Sequence, residues 1–184
     1  MNTISSRPST SPAERAFAPA AARDLFASFE LTALGGRDGL PGFVQALVAK
    51  GLKPLEVLLG ADRKTVLCRW PDVDASALRD TLRTFGLDVG VLWSGVVLEL
   101  SEEVTANVVV EDNRDTPIRS IFPYDRIGTC LINHRVTPVR VAVSLDGCHL
   151  LAFYRAPDAE SVRLAQRHGS VCAGRVWTFE TFRP

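Results

Sequence analysis

The chain has no surplus of either charge, no paired cysteines and no long hydrophobic run. Basic and acidic residues balance at 21 each, so no overall field draws it to a phosphate backbone or an anionic membrane. The basic sheet with paired aromatics by which small sheet domains bind RNA is also missing, and no nucleic-acid partner is expected. The longest strand-like apolar stretch, Val89 to Leu100, is interrupted by Ser94, Gly95 and Glu99. It falls short of the ~20 residues that cross a bilayer as a helix, so no membrane partner is expected either. Cys68, Cys130, Cys148 and Cys172 form no CxxC pair, which signals neither a disulfide framework nor a zinc site; free thiols in a reducing cytoplasm fit best. There is no nucleophile elbow, dinucleotide fingerprint or zinc-protease helix motif. The glycine-rich Gly35-Gly36-Arg37-Asp38-Gly39 lacks the lysine spacing of a phosphate loop and reads as a loop into a helix.

What is present is the composition of a globular chain: 184 residues, 46% hydrophobic and 23% charged, enough for a substantial core. Residues 1–24 are rich in Ser, Pro and Ala without apolar periodicity and read as a disordered N-terminal tail. Arg outnumbers Lys 18 to 3 among the basic residues, a codon-usage hint of a GC-rich bacterial source.

The most informative feature is self-similarity at an offset of 84 residues. Without a gap, Leu47 matches Leu131, Pro54 Pro138, Val57 Val141, Asp62 Asp146, Leu67 Leu151, Asp74 Asp158 and Trp93 Trp177, among 11 identities in 47 aligned positions. Chance gives roughly three at ordinary residue usage, so one unit is read twice. In residues 25–100, Phe26 to Ala33 alternates as a strand. Asp38 can cap a helix whose Leu40, Phe43, Val44, Leu47 and Val48 share one face, with Gly51 as its stop. Leu55 to Leu59 and Thr65 to Trp70 read as a hairpin. A helix capped by Asp74 carries Leu78, Leu82 and Phe85 inward and ends at Gly86, and Val89 to Leu100 closes the unit. In residues 104–184 the order recurs: a strand at 106–111, a helix at 125–133, a hairpin at 139–153 turning near Asp146-Gly147, a helix at 158–168 and a strand at 175–182. The order predicts an α+β fold of two tandem ferredoxin-like βαββαβ units, packed sheet to sheet as an α+β barrel-like pseudodimer with a pocket between the sheets.

In the second unit, Cys130-Leu131 with His134, Ser144 with Asp146, the run Tyr154-Arg155-Ala156-Pro157-Asp158-Ala159-Glu160 with Val162-Arg163, and Arg175-Val176-Trp177 resemble a family of small bacterial ferredoxin-like proteins called nickel-binding-like domains of unknown function. The resemblance covers residues 104–182. It implies the fold and makes nickel a possible cofactor, although the family's histidine positions hold Arg140 and Ala165 here. A guanidinium cannot ligate a metal, so no metal ligand is assigned.

Several residues are candidates for chemistry. His134 shares a helical face with Ile127, Cys130 and Leu131, an unusual place for an imidazole; it is either a hydrogen-bonded histidine at a helix C-terminus or an acid/base. Arg140 interrupts the alternation of Val139, Val141 and Val143, and its match at the 84-residue offset is Glu56. If these faces meet inside, a pair or an anion held by Arg140 is expected; if they are solvated, both are surface charges. Tyr154, with Trp70 at the matched position, either offers a polar tip to a ligand or packs a helix start. Glu30 and Glu111 are bases only if they face inward. Cys148, His149, His168 and Cys172 lie on scattered elements. The leading expectation is a cytoplasmic small-molecule-binding protein, monomeric or homodimeric, anchoring its ligand with Arg140, His134 and Tyr154. The alternatives are a cofactor-independent cyclase, isomerase or oxygenase with His134 as acid/base, a nickel or other transition-metal binder, and a partner protein without a pocket.

Overall fold

The computed structural model describes residues 23–36, 38–87, 92–101, 103–117, 124–170 and 174–182. Along the chain these form β1 (Arg23–Glu30), a 3-10 turn (Leu31–Leu34), α1 (Gly39–Ala49), β2 (Glu56–Gly60), β3 (Thr65–Trp70), α2 (Ala75–Thr84) and β4 (Leu92–Glu99). They continue with β5 (Val108–Asn113), α3 (Tyr124–Asn133), β6 (Thr137–Ser144), β7 (His149–Arg155), α4 (Ala159–His168) and β8 (Arg175–Thr181). Residues 1–22 of the expected tail lie outside the described residues, and Arg23 and Asp24 already belong to β1.

All eight strands pair antiparallel in one closed barrel, in the order β1, β3, β2, β8, β5, β7, β6, β4 and back to β1. Two seams close it. Leu58 of β2 sits opposite Thr181 of β8, and Gly95 and Glu99 of β4 sit opposite Ser144 and Arg140 of β6. These seams overturn the expectation of two tandem ferredoxin-like units packed sheet to sheet. An open four-stranded sheet leaves a row of unpaired N–H and C=O groups on each outer strand, and here β2 and β4 satisfy theirs on β8 and β6. The result is one continuous sheet wrapped around a lumen, with four short helices outside, and not two sheets face to face with a gap between them.

Alternation along each strand sorts side chains between lumen and helix layer. Inside, Phe26, Leu58, Leu67, Val109, Ala142, Phe153 and Trp177 pack from seven strands, with Trp93 and Val97 of β4 against them. The lumen is therefore filled at its middle. Outside, Ala27, Leu59, Cys68 and Trp70 meet Leu40, Phe43 and Leu47 of α1 and Leu78 and Leu82 of α2. On the other half Val108, Val141, Ala152 and Tyr154 meet Leu131 of α3 and Val162 and Ala165 of α4. Burial in this layer pushes the Cys68 thiol's pKa up, which keeps it protonated.

Local signals account for most element ends. Asp74 accepts from the backbone N–H of Ser76 at 2.7 Å and Ala77 at 3.3 Å, and Asp158 accepts from Ser161 N–H at 2.7 Å, so both cap their helices. Asp38 does not: its own backbone is already helical (φ −68°, ψ −23°), and its side chain makes no cap bond. The expected strand from Phe26 to Ala33 stops at Glu30, because Leu31 turns its N–H to Lys64 O at 2.6 Å and the chain winds into the 3-10 turn. Val48, placed on the apolar face of α1, and Leu55, expected to begin the next strand, are both exposed; Val48 ends the apolar stripe of α1, and Leu55 precedes β2.

Candidate active site at a barrel mouth

Because the lumen is plugged in the middle, its space lies at the two ends. One mouth, where β5 ends and β8 begins, is a cavity of about 720 Å³ lined by Ser28, Leu67, Trp93, Glu111, Asn113, Arg114, Leu151 and Arg175, among others. The opposite mouth is a cavity of about 310 Å³ between Glu56, Glu99, Arg140, Phe179 and Thr181.

At the larger mouth the alternation of β5 turns Val109 and Glu111 toward the lumen. The Glu111 side chain is only 11% exposed. Its Oε2 accepts from Trp177 Nε1 at 3.0 Å and lies 3.8 Å from Arg175 Nη1. Both contacts use Oε2, which leaves Oε1 as the atom for a ligand's proton. Arg175 is held in place: Nη2 donates to Thr65 Oγ1 at 2.6 Å and lies 3.5 Å from Asp62 Oδ2. Asp62 is itself fixed by the N–H groups of Lys64 and Thr65 at 2.8 and 3.1 Å, and the Lys64 bond leads in holding its carboxyl below the ordinary range. A carboxylate and a guanidinium thus share one wall of a cavity in preset positions.

The rim of the same mouth is an aromatic stack. Trp93 lies on Phe26 with ring centroids 4.5 Å apart and on His149 at 5.7 Å. His149 Nδ1 is 2.9 Å from Asn113 Oδ1. The amide oxygen only accepts, so in this contact Nδ1 is the donor. Gly95, which follows Trp93 on the lumen side of β4, keeps this stack in place: a Cβ there would lie 2.6 Å from the Trp93 ring and 2.4 Å from the Val143 carbonyl.

The residues singled out from sequence do not converge on one site. Arg140 and Glu56 face the lumen at the smaller mouth and are hydrogen-bonded to each other. Tyr154 is buried in the helix-facing core, and Trp70 lies fully buried in the corresponding layer, where its Nε1 donates to Leu52 O at 3.1 Å. Neither reaches the lumen. His134, just past the end of α3, meets His168 of α4 on the outside of the barrel, so it serves no lumen cavity. Glu30 stands exposed at the end of β1. Glu111, a base only if it faces inward, does face inward; Arg175 and Trp93, to which the sequence pattern assigns no role, join it at this mouth. Their signal was weak but present, a cation and an aromatic in phase with Trp177 and Val97 on the same barrel face. Among the described residues no group of three or more His, Cys, Asp or Glu could hold a metal ion, and no helix is long and apolar enough to cross a membrane.

No family profile matches the chain, and no curated protein does. Two solved structures are similar along most of their length. One is an anthrone oxidase-like protein, 14% identical with a TM-score of 0.49, the match covering 90% of this chain and 93% of that one. The other is a candidate monooxygenase from Fusobacterium nucleatum subsp. nucleatum ATCC 25586, 13% identical with a TM-score of 0.39, covering 90% and 94%. At these scores neither carries an argument about function.

Proposed function

We propose that the chain is a small-molecule enzyme whose chemistry begins with proton abstraction at the larger barrel mouth, the step shared by cyclases, isomerases and cofactor-independent oxygenases acting on enolisable or phenolic substrates. The observation that carries this reading is Glu111, a largely buried carboxylate set beside the pinned Arg175 on the wall of a cavity of about 720 Å³. Glu111 Oε1 takes the proton from an acidic C–H or O–H. The Arg175 guanidinium then holds the oxyanion that develops, in a position that needs no rearrangement. Leu67, Leu151 and the edge of Trp93 supply the apolar walls. This places the acid/base role on Glu111 and away from His134.

The test is a panel of naphthols and 1,3-diketones, with binding read by tryptophan fluorescence and turnover by product formation, on wild type and Glu111→Gln. Glutamine keeps an oxygen for Trp177 Nε1 but cannot take a proton. The proposal expects binding to persist while turnover falls at least about 100-fold, the usual worth of a positioned base. Binding without turnover in wild type makes the chain a carrier, and equal turnover in Glu111→Gln rejects the assignment.

A further inference from the structure

On the outer helix layer, away from both mouths, His134 Nε2 and His168 Nδ1 approach to 3.0 Å with ring centroids 5.0 Å apart. We infer that His134 and His168 form a two-imidazole site for a divalent cation of the zinc, copper(II) or nickel class, which would tie α3 to α4. The reading is independent of the chemistry proposed for Glu111.

Three observations carry it. The first is spacing. Two imidazole nitrogens bound to one ion at ~2.0–2.1 Å, with an angle between a right angle and a tetrahedral one, stand ~2.8–3.4 Å apart, so the 3.0 Å separation of the pair falls within the bite of a chelate. The second is placement. His134 follows the last residue of α3 and His168 is the last residue of α4; helix C-termini carry partial negative charge, and two of them here favour a cation. The third is access. His168 is exposed and His134 half-buried, so an ion reaches the pair without opening the fold, and water fills the remaining positions. Imidazole suits these ions. Arg135 and Arg167, the sequence neighbours, are exposed, and salt screens their repulsion.

Without an ion, one ring donates its N–H to the other. Ligation needs both facing nitrogens bare, so the shared proton moves to the distal nitrogen of its own ring, and the neutral pair changes tautomer without net proton release. Cys130, one turn before His134, is half-buried and does not join the pair in a group of three. The site is therefore exchangeable and of modest affinity.

The experiment uses the full chain stripped with chelator, then titrated with zinc, nickel and copper(II) by calorimetry, alongside His134→Gln and His168→Gln. The expected result is one ion per chain, at least tenfold weaker in either variant, with a thermal midpoint that rises with the ion in wild type and stays fixed in His168→Gln. Since His168 is exposed, its variant should fold as wild type does. No binding by wild type, or unchanged affinity in both variants, overturns the site.

Discussion

Arg140 and Glu56 lie 84 residues apart, at positions that match under the internal offset of the sequence, and they meet as an ion pair inside the barrel. Arg140 Nη2 donates to Glu56 Oε2, and the guanidinium lies 4.2 Å above the Phe153 ring. The side chains are 16% and 20% exposed. Each charge is thus mostly withdrawn from water, and the partner that neutralises it comes from across the β2–β8 and β4–β6 seams.

Removing both partners should cost less than the two single losses added together. Arg140→Met leaves the Glu56 carboxylate poorly solvated and forfeits the contact with Phe153, a loss of about 1–3 kcal/mol for a half-screened pair. Glu56→Gln keeps an acceptor and should cost less. The double variant Arg140→Met with Glu56→Gln should be more stable than the sum of the two single losses predicts, measured by urea denaturation as a double-mutant cycle. Strict additivity would mean that the two charges do not interact.

How far the sequence could be read follows from which signals are local. The caps at Asp74 and Asp158, the positive-φ Gly51 and Gly86 after α1 and α2, and the strand alternation are set by neighbours within a few residues, and they were legible. The offset matches Glu56 with Arg140 but leaves open whether their strand faces turn inward or to solvent. The β2–β8 seam joins Leu58 to Thr181, and no local pattern specifies that pairing, so the closed barrel was read as two open sheets. That error carried to the site. Nothing local says which strand face lines the lumen, so Tyr154, with Trp70 at its matched position, reads either as a ligand's polar partner or as packing for a helix start; both share parity with Ala152 and Cys68 on the helix side. His134 was assigned by helical periodicity, which lapses where the chain leaves α3.

Asn107 is a clasp between the start of β5 and the approach to α4. Its Nδ2 donates to Ala156 O at 2.8 Å, and its Oδ1 accepts from Ala156 N–H at 2.9 Å. Asn107→Ala deprives both backbone groups of a nearly buried residue of their partners, a cost of about 1–3 kcal/mol. Asn107→Asp keeps the acceptor and loses the donor, so it should fall between, as read from the urea midpoint. Indifference to both changes would show that water takes over the two bonds.

Gly95 should refuse any side chain. A methyl group in Gly95→Ala meets the Val143 backbone and the Trp93 ring at well under van der Waals distance, and overpacking of this kind costs about 1–3 kcal/mol. Since Trp93 is clamped between Phe26 and His149, its displacement should also change the near-ultraviolet circular dichroism. A variant with wild-type stability and an unchanged spectrum would contradict the described stack.

Acid should loosen the two hairpin turns in parallel. Asp62 and Asp146 match at the 84-residue offset. Asp146 is held below the usual carboxylate range, first by the Ser144 hydroxyl and then by Cys148 N–H, and Asp62 is held low chiefly by Lys64 N–H. For a carboxylate whose folded pKa lies below its unfolded value, the folded state binds fewer protons. The stabilisation is therefore complete above the unfolded pKa of about 4 and is lost as pH falls through the lower folded value. Both side chains are well exposed, so solvent screening keeps the effect small. Urea midpoints at pH 6 and pH 3 should fall further apart in wild type than in the double variant Asp62→Asn with Asp146→Asn, which has no carboxyl to protonate at either turn. An equal drop in both proteins would place the acid sensitivity elsewhere in the barrel.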